Sequence, residues 1–123
     1  MQQNAQSLVY RIIGEQEWAT AQSAGEFVPD RFGEEGFVHL SGKDQVLRPA
    51  NLLYKGRADL SLLVIDVSQL KAELVYEPGS HGETELFPHL YGHLNVDAVI
   101  DVIDFPSEPD GSFQLPLELR AKG

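Results

Sequence analysis

Residues 87–94, "FPHLYGHL", place two histidines, a tyrosine and a phenylalanine at every second position, with Pro88, Leu90 and Gly92 between them. If the segment is extended, Phe87, His89, Tyr91 and His93 share one face, and Leu86, Leu90 and Leu94 share the other. The leucine side would anchor in a core and the ring side would face a cleft or solvent. Tyrosine and histidine rings combine flat apolar area with a donor or acceptor, a chemistry suited to a ligand ring or hydroxyl. The plain alternative is rings that only pack, with their polar ends in water. His89 and His93 also have H-x-x-x-H spacing, which brings two imidazoles together only on a helix. Pro88 and Gly92 argue against a helix, so a metal site built on His81, His89 and His93 with Glu83 or Glu85 is the weaker reading.

Two further residues join this face as candidates. His39 lies in "GFVHLS" (36–41), where Phe37, His39 and Ser41 alternate with Val38 and Leu40. The following turn and helix start around 41–45 would offer backbone N–H groups to an anion while His39 holds a sugar hydroxyl. Glu77 closes "ELVYEP" on the same strand face as Val75. Taken alone it is a solvated strand-end charge; beside a cleft it would steady a developing cation or orient a hydroxyl. A serine hydrolase lacks its G-x-S-x-G elbow, and no carboxylate pair stands out among 19 acids for a glycosidase.

The elements that must position these residues can be read along the chain. "SLVYRII" (7–13) predicts a first strand, and 14–25 a helix with an apolar stripe of Trp18, Ala21 and Ala24 that stops at Gly25. Residues 26–35 read as a loop. Residues 41–56 read as a helix with Ser41 and Asp44 at capping-box spacing and Gln45 in its first turn. Pro49 demands a kink there, or a regular helix that begins near Arg48. "LSLLVIDV" (60–67) is nearly all apolar, as expected of a central strand covered on both faces. Strands follow at 73–78 and 98–105, with a mobile loop at 79–85, and 112–119 is expected to return as an edge hairpin strand ending at Pro116.

Strands outnumber helices without alternating with them, which predicts an α+β fold with a mixed, mostly antiparallel sheet and two main helices. The 123 residues make one compact domain over 8–118, with flexible ends at 1–7 and 119–123. With no cysteine there is no disulfide frame, thiolate metal site or cysteine nucleophile. A net charge of −10 disfavours generic nucleic-acid binding, yet leaves room for a small anionic ligand in a local pocket. The chain shows neither a secretory signal nor a membrane-spanning apolar run, so the expected location is the cytoplasm. Neither common nucleotide-binding glycine motif is present.

The ordered series Tyr10, Ile12, Trp18, Ala21 and Gly25, then "GFVHLS" with Gln45 and Val46, "YKGRADLSLLVID", Glu77 and "FPHLYGHL" resembles the bacterial family called domain of unknown function 952. That family usually has proline where His93 stands. The resemblance implies a remote relationship to ADP-ribosyltransferases and the RNA 2′-phosphotransferases of the same fold, and hence a split pair of small sheets around a cleft that takes NAD as substrate. In those enzymes a first-strand histidine or arginine contacts ribose, an aromatic ring stacks on nicotinamide, and a late polar residue assists cleavage. Carried over, this makes His39 the ribose contact and Tyr54 the stacking residue, with Ser41 and Gln45 beside the ligand. Glu77, His89 and Tyr91 compete for the catalytic role. No metal is expected. The alternatives are a binding module without turnover and a metal-dependent enzyme built on the late histidines.

Overall fold

The structure is a computed structural model that describes residues 7–79 and 84–120. Its first sheet has the order β1–β4–β8, from β1 (Leu8–Gly14), β4 (Leu60–Asp66) and β8 (Val99–Asp104). Its second has the order β3–β6–β5, from β3 (Val38–His39), β6 (Leu86–Tyr91) and β5 (Glu73–Pro78). A short pair joins β2 (Glu26–Phe27) to β7 (Leu94–Asn95). Every strand pairing among the described residues is antiparallel, in line with an α+β fold.

β4 is the centre of the first sheet because both of its faces are apolar. Leu63 and Ile65 pack with Val9, Ile13, Val38, Leu90 and Leu94 between the two large sheets. Leu62 and Val64 pack on the opposite side with Tyr10, Ile12, Ile103, Phe105 and Phe113. That outer core is covered by α3 (Leu47–Leu53) through Val46 and Ala50. α1 (Glu15–Ala24) packs Trp18 and Ala21 on the inner core and ends at Gly25, whose φ of 85° is the left-handed conformation that glycine adopts without a Cβ clash. Ala24, expected in its apolar stripe, is exposed.

Four expectations are corrected. The helix predicted over 41–56 is helical only from Leu47 to Leu53, which places Pro49 in the first turn, where its missing N–H has no intrahelical partner to lose. Ser41 does not cap it; Gln45 does the local work, its side chain accepting from the Gly42 N–H at 2.8 Å. The strand predicted at 112–119 is absent: Phe113 inserts into the outer core against Phe105, with ring centroids 5.0 Å apart, and a 3-10 turn follows at Leu117–Leu119. The loop at 26–35 holds β2 and a single helical turn, α2 (Phe32–Glu35). The flexible-end and mobile-loop expectations fall mostly on 1–6, 80–83 and 121–123, which lie outside the described residues together with His81 and Glu83.

Pro88 explains how the two large sheets divide. It sits in β6, the middle strand, a position that normally excludes proline. The Pro88 carbonyl accepts from the Leu40 N–H at 3.0 Å, but its nitrogen cannot return the bond. The ladder with β3 therefore ends there. The chain swings away, and Ser41 exchanges two backbone bonds with Tyr10 of β1, at 2.7 and 2.9 Å. One short segment thus belongs to both sheets, with His39 at the crossing.

Candidate functional site

A cleft of about 590 Å3 opens at this crossing. Its wall includes Tyr10, Arg11 and Ile12 from β1, His39 and Ser41 from the crossing segment, and Arg48, Leu52, Leu53 and Tyr54 from α3 and its end. Phe87 and His89 of β6, Glu35 of α2, Glu17 of α1 and the loop residues Asp30 and Arg31 complete much of it. Three arginines meet three carboxylates here in a chain of net charge −10, so the cleft is far less acidic than the protein as a whole.

Of the sequence-predicted residues, His39, Ser41, Tyr54 and His89 converge on this cleft. Gln45, Glu77 and Tyr91 are not in its wall. Gln45 is a clasp: besides Gly42 it reaches the Glu85 carboxylate at 2.9 Å and the Leu86 carbonyl at 2.7 Å, which ties the turn to β6. The Gly42 and Gln45 N–H groups, expected to face an anion, are consumed within the turn.

His39 Nε2 meets Glu35 Oε1 at 3.0 Å, and its ring lies edge-on to His89 at 5.2 Å. Burial holds its pKa below the ordinary histidine value, although Glu35 pulls the other way. The imidazole is therefore neutral near pH 7, donating Nε2–H to the carboxylate.

His89 is more deeply enclosed, its side chain only 3% exposed. Phe37 stacks on its face, with centroids 4.2 Å apart and planes 14° from parallel. Its Nδ1 meets Glu77 Oε2 at 2.8 Å, and the Tyr91 hydroxyl donates to the same oxygen. These two donors lower the Glu77 pKa, Tyr91 first and then His89, while the carboxylate raises that of Tyr91. Glu77 thus stands behind His89 and holds it from outside the cleft.

The face pattern expected for 87–94 holds only in part. Leu90 and Leu94 are fully buried as anchors, but Leu86 is 51% exposed, and Phe87 and His89 on the ring side are buried too. The second sheet is covered on both faces at that point. Gly92 then bends the chain because there is no room for a side chain: a Cβ would come within 2.5 Å of the Ala72 methyl. After the bend His93 turns away, its Nδ1 3.0 Å from Glu26 and its ring against Phe32. His89 and His93 therefore serve different places, and no group of three metal-ligating side chains occurs among the described residues.

The residue that sequence reasoning missed is Arg11. It shares the inner face of β1 with Val9 and Ile13 and lies opposite Leu63. Its guanidinium donates to the His39 carbonyl at 3.0 Å and lies 5.0 Å over the Phe27 ring. Burial lowers its pKa from the usual arginine value, with Tyr54, Glu17 and Glu35 opposing that shift. The signal was available in "LVYRIIG": one charge on an otherwise apolar strand face.

Residues 12–102 match the family described as "Protein of unknown function (DUF952)". The chain belongs to this family. Its fold is also that of CC0527 from Caulobacter crescentus. The crystal structure of that protein is 34% identical, with a TM-score of 0.82, and the match covers 94% of this chain and 100% of that one. The solution structure of CC0527 is likewise 34% identical, with a TM-score of 0.70 over 88% and 92% of the two chains. No curated protein matches. The DUF952 match spans His39, Tyr54, Glu77, His89 and Tyr91, and begins one residue after Arg11. No helix among the described residues is long and apolar enough to cross a membrane.

Proposed function

We propose that the cleft binds NAD or a related nucleotide and that the protein transfers or hydrolyses ADP-ribose. The observation that carries the reading is the convergence of Arg11, His39 and Tyr54, from three different elements, on one cleft whose wall balances three arginines against three carboxylates within an acidic chain. The guanidinium supplies charge-assisted donors for phosphate or ribose oxygens. The Tyr54 ring and the exposed Leu52 and Leu53 supply apolar area for a base or nicotinamide. Arg11 stands on the first strand, where the resemblance expects the ribose contact; His39, on β3, is its neighbour.

Calorimetric titration with NAD and with ADP-ribose tests binding, and a protein that binds neither removes the nucleotide reading. Mass spectrometry for released nicotinamide tests turnover. A second reading, a nucleotide-binding module without turnover, is favoured by one feature: Glu77, the carboxylate expected at the ribose, does not line the cleft. Binding without nicotinamide release would select it.

A further inference from the structure

Two side-chain atoms are buried without a hydrogen-bond partner among the described residues: Arg11 Nε and His89 Nε2. Both belong to residues in the cleft wall, and both flank His39. A buried polar atom left unpaired is costly. One of the two is an obligatory donor. The other is a donor or an acceptor according to the tautomer of His89.

Glu77 decides that tautomer. A carboxylate 2.8 Å from Nδ1 requires a proton on Nδ1, and Tyr91 donates to the same carboxylate oxygen from its other side. When the ring is neutral, its lone pair is then on Nε2. Phe37 stacked on the ring face keeps the imidazole from rotating.

We propose that His89 is the proton acceptor of the cleft: Glu77 and Tyr91 hold it as the Nδ1–H tautomer, and Nε2 takes the proton of an attacking water or alcohol. The identity of the reacting partner rests on the nucleotide reading above; the tautomer and the free acceptor do not. With NAD bound, the hydroxyl oxygen bonds to the ribose anomeric carbon as its proton passes to Nε2. The carbon–nitrogen bond to nicotinamide breaks, and its electron pair neutralises the pyridinium, which leaves as nicotinamide. His89 becomes an imidazolium beside the Glu77 carboxylate, then returns the proton to solvent. His89 is the catalytic residue in this scheme, and Glu77 and Tyr91 are positioning residues.

Long-range 1H–15N correlation of the histidine rings tests this directly in the intact protein near pH 7.5. The expected result is a protonated Nδ1 and a bare Nε2 on His89, with the Nε2 resonance shifting when ADP-ribose is added. Glu77→Leu should give a mixture of tautomers, and Glu77→Gln should restore Nδ1–H because its amide oxygen still accepts. Nicotinamide release should fall about 100-fold in His89→Gln. It should fall less in Glu77→Leu, through kcat rather than KM, and partly recover in Glu77→Gln.

A protonated Nε2, or a charged His89 in the free protein, overturns the proposal whether or not NAD binds. So does an Nε2 resonance that stays fixed while other resonances saturate with ADP-ribose, because His89 would then be purely structural. If no resonance responds to NAD or ADP-ribose, the nucleotide reading and the acceptor role at this ligand fall together, and the tautomer remains as a separate result.

Discussion

The two large sheets are built from similar numbers of strands and do opposite work. In β1–β4–β8 the central strand is apolar: five of the seven residues of β4 are buried hydrophobics, and they feed a core on each face. In β3–β6–β5 the apolar residues alternate with rings and charges that bond to one another, Glu77 with His89 and Tyr91, and His39 with Glu35 of the neighbouring turn. A sheet packed by non-directional contacts tolerates small shifts, whereas hydrogen-bonded rings lose their function when displaced by an ångström. The first sheet supplies most of the core, and the second supplies the hydrogen-bonded rings of the candidate site. Arg11 is the exception that joins them.

The largest effect should come from the first sheet. Ile65→Ala leaves a cavity in the inner core where β4 pairs with Val9, and should cost about 2–5 kcal/mol in chemical denaturation. Binding by the fraction that remains folded should change little; a selective loss of ligand binding would show that the sheets are not separable in this way.

Gly92→Ala attacks the second sheet where it bends. Its methyl must displace the Ala72 methyl or the backbone beneath, so a loss of about 1–3 kcal/mol is expected in thermal or urea unfolding. An unchanged midpoint would mean that the bend relaxes freely.

Arg11→Gln targets the joint. It removes the charge and leaves β1 paired, so affinity for ADP-ribose should fall about tenfold by calorimetry. Unchanged affinity would place the ligand elsewhere.

The histidines sharpen the contrast further. His39 has a lowered folded-state pKa, so in acid the unfolded chain takes up a proton that the native state resists. Stability from this group is present above the ordinary histidine pKa and is lost as pH falls below it. Glu35, His89 and Arg11 are the charged or titratable groups acting on it. His39→Gln should flatten the dependence between roughly pH 7 and pH 5, measured by urea unfolding at each pH. His93→Ala should do least, about 0–1 kcal/mol, because its contact with Glu26 is a half-exposed surface pair. A larger loss would mean that the bend depends on His93 as much as on Gly92.

Much of this design was legible in the chain. The apolar run at 60–67 gave the central strand, since a strand with two dry faces has no polar positions to show. Gly25 marked the end of α1, and Pro49 marked where α3 becomes regular. The segment at 112–119 misled because alternating apolar residues suit a strand and an inserted segment equally well; Phe113 enters the outer core instead of the segment pairing with the edge strand β8. For the site, residue types singled out His39 and His89 and the family resemblance added Tyr54; all three line one cleft. Residue types also nominated Glu77 and Tyr91, and the resemblance Gln45, none of which is in its wall.

By itself the sequence determined which segments could be strands, which residues could do chemistry, and that "FPHLYGHL" is no helix. These follow from local preference and alternation, which act between near neighbours. The tertiary structure decided the rest. Pro88 ends a ladder only because Leu40 lies opposite it, and that release carries His39 across to Arg11. Gly92 is required because Ala72, twenty residues earlier, occupies the space of its missing side chain. Glu77 fixes His89 because β5 pairs with β6 in one particular register. Each is a contact between distant parts of the chain, set by how two dry faces come together.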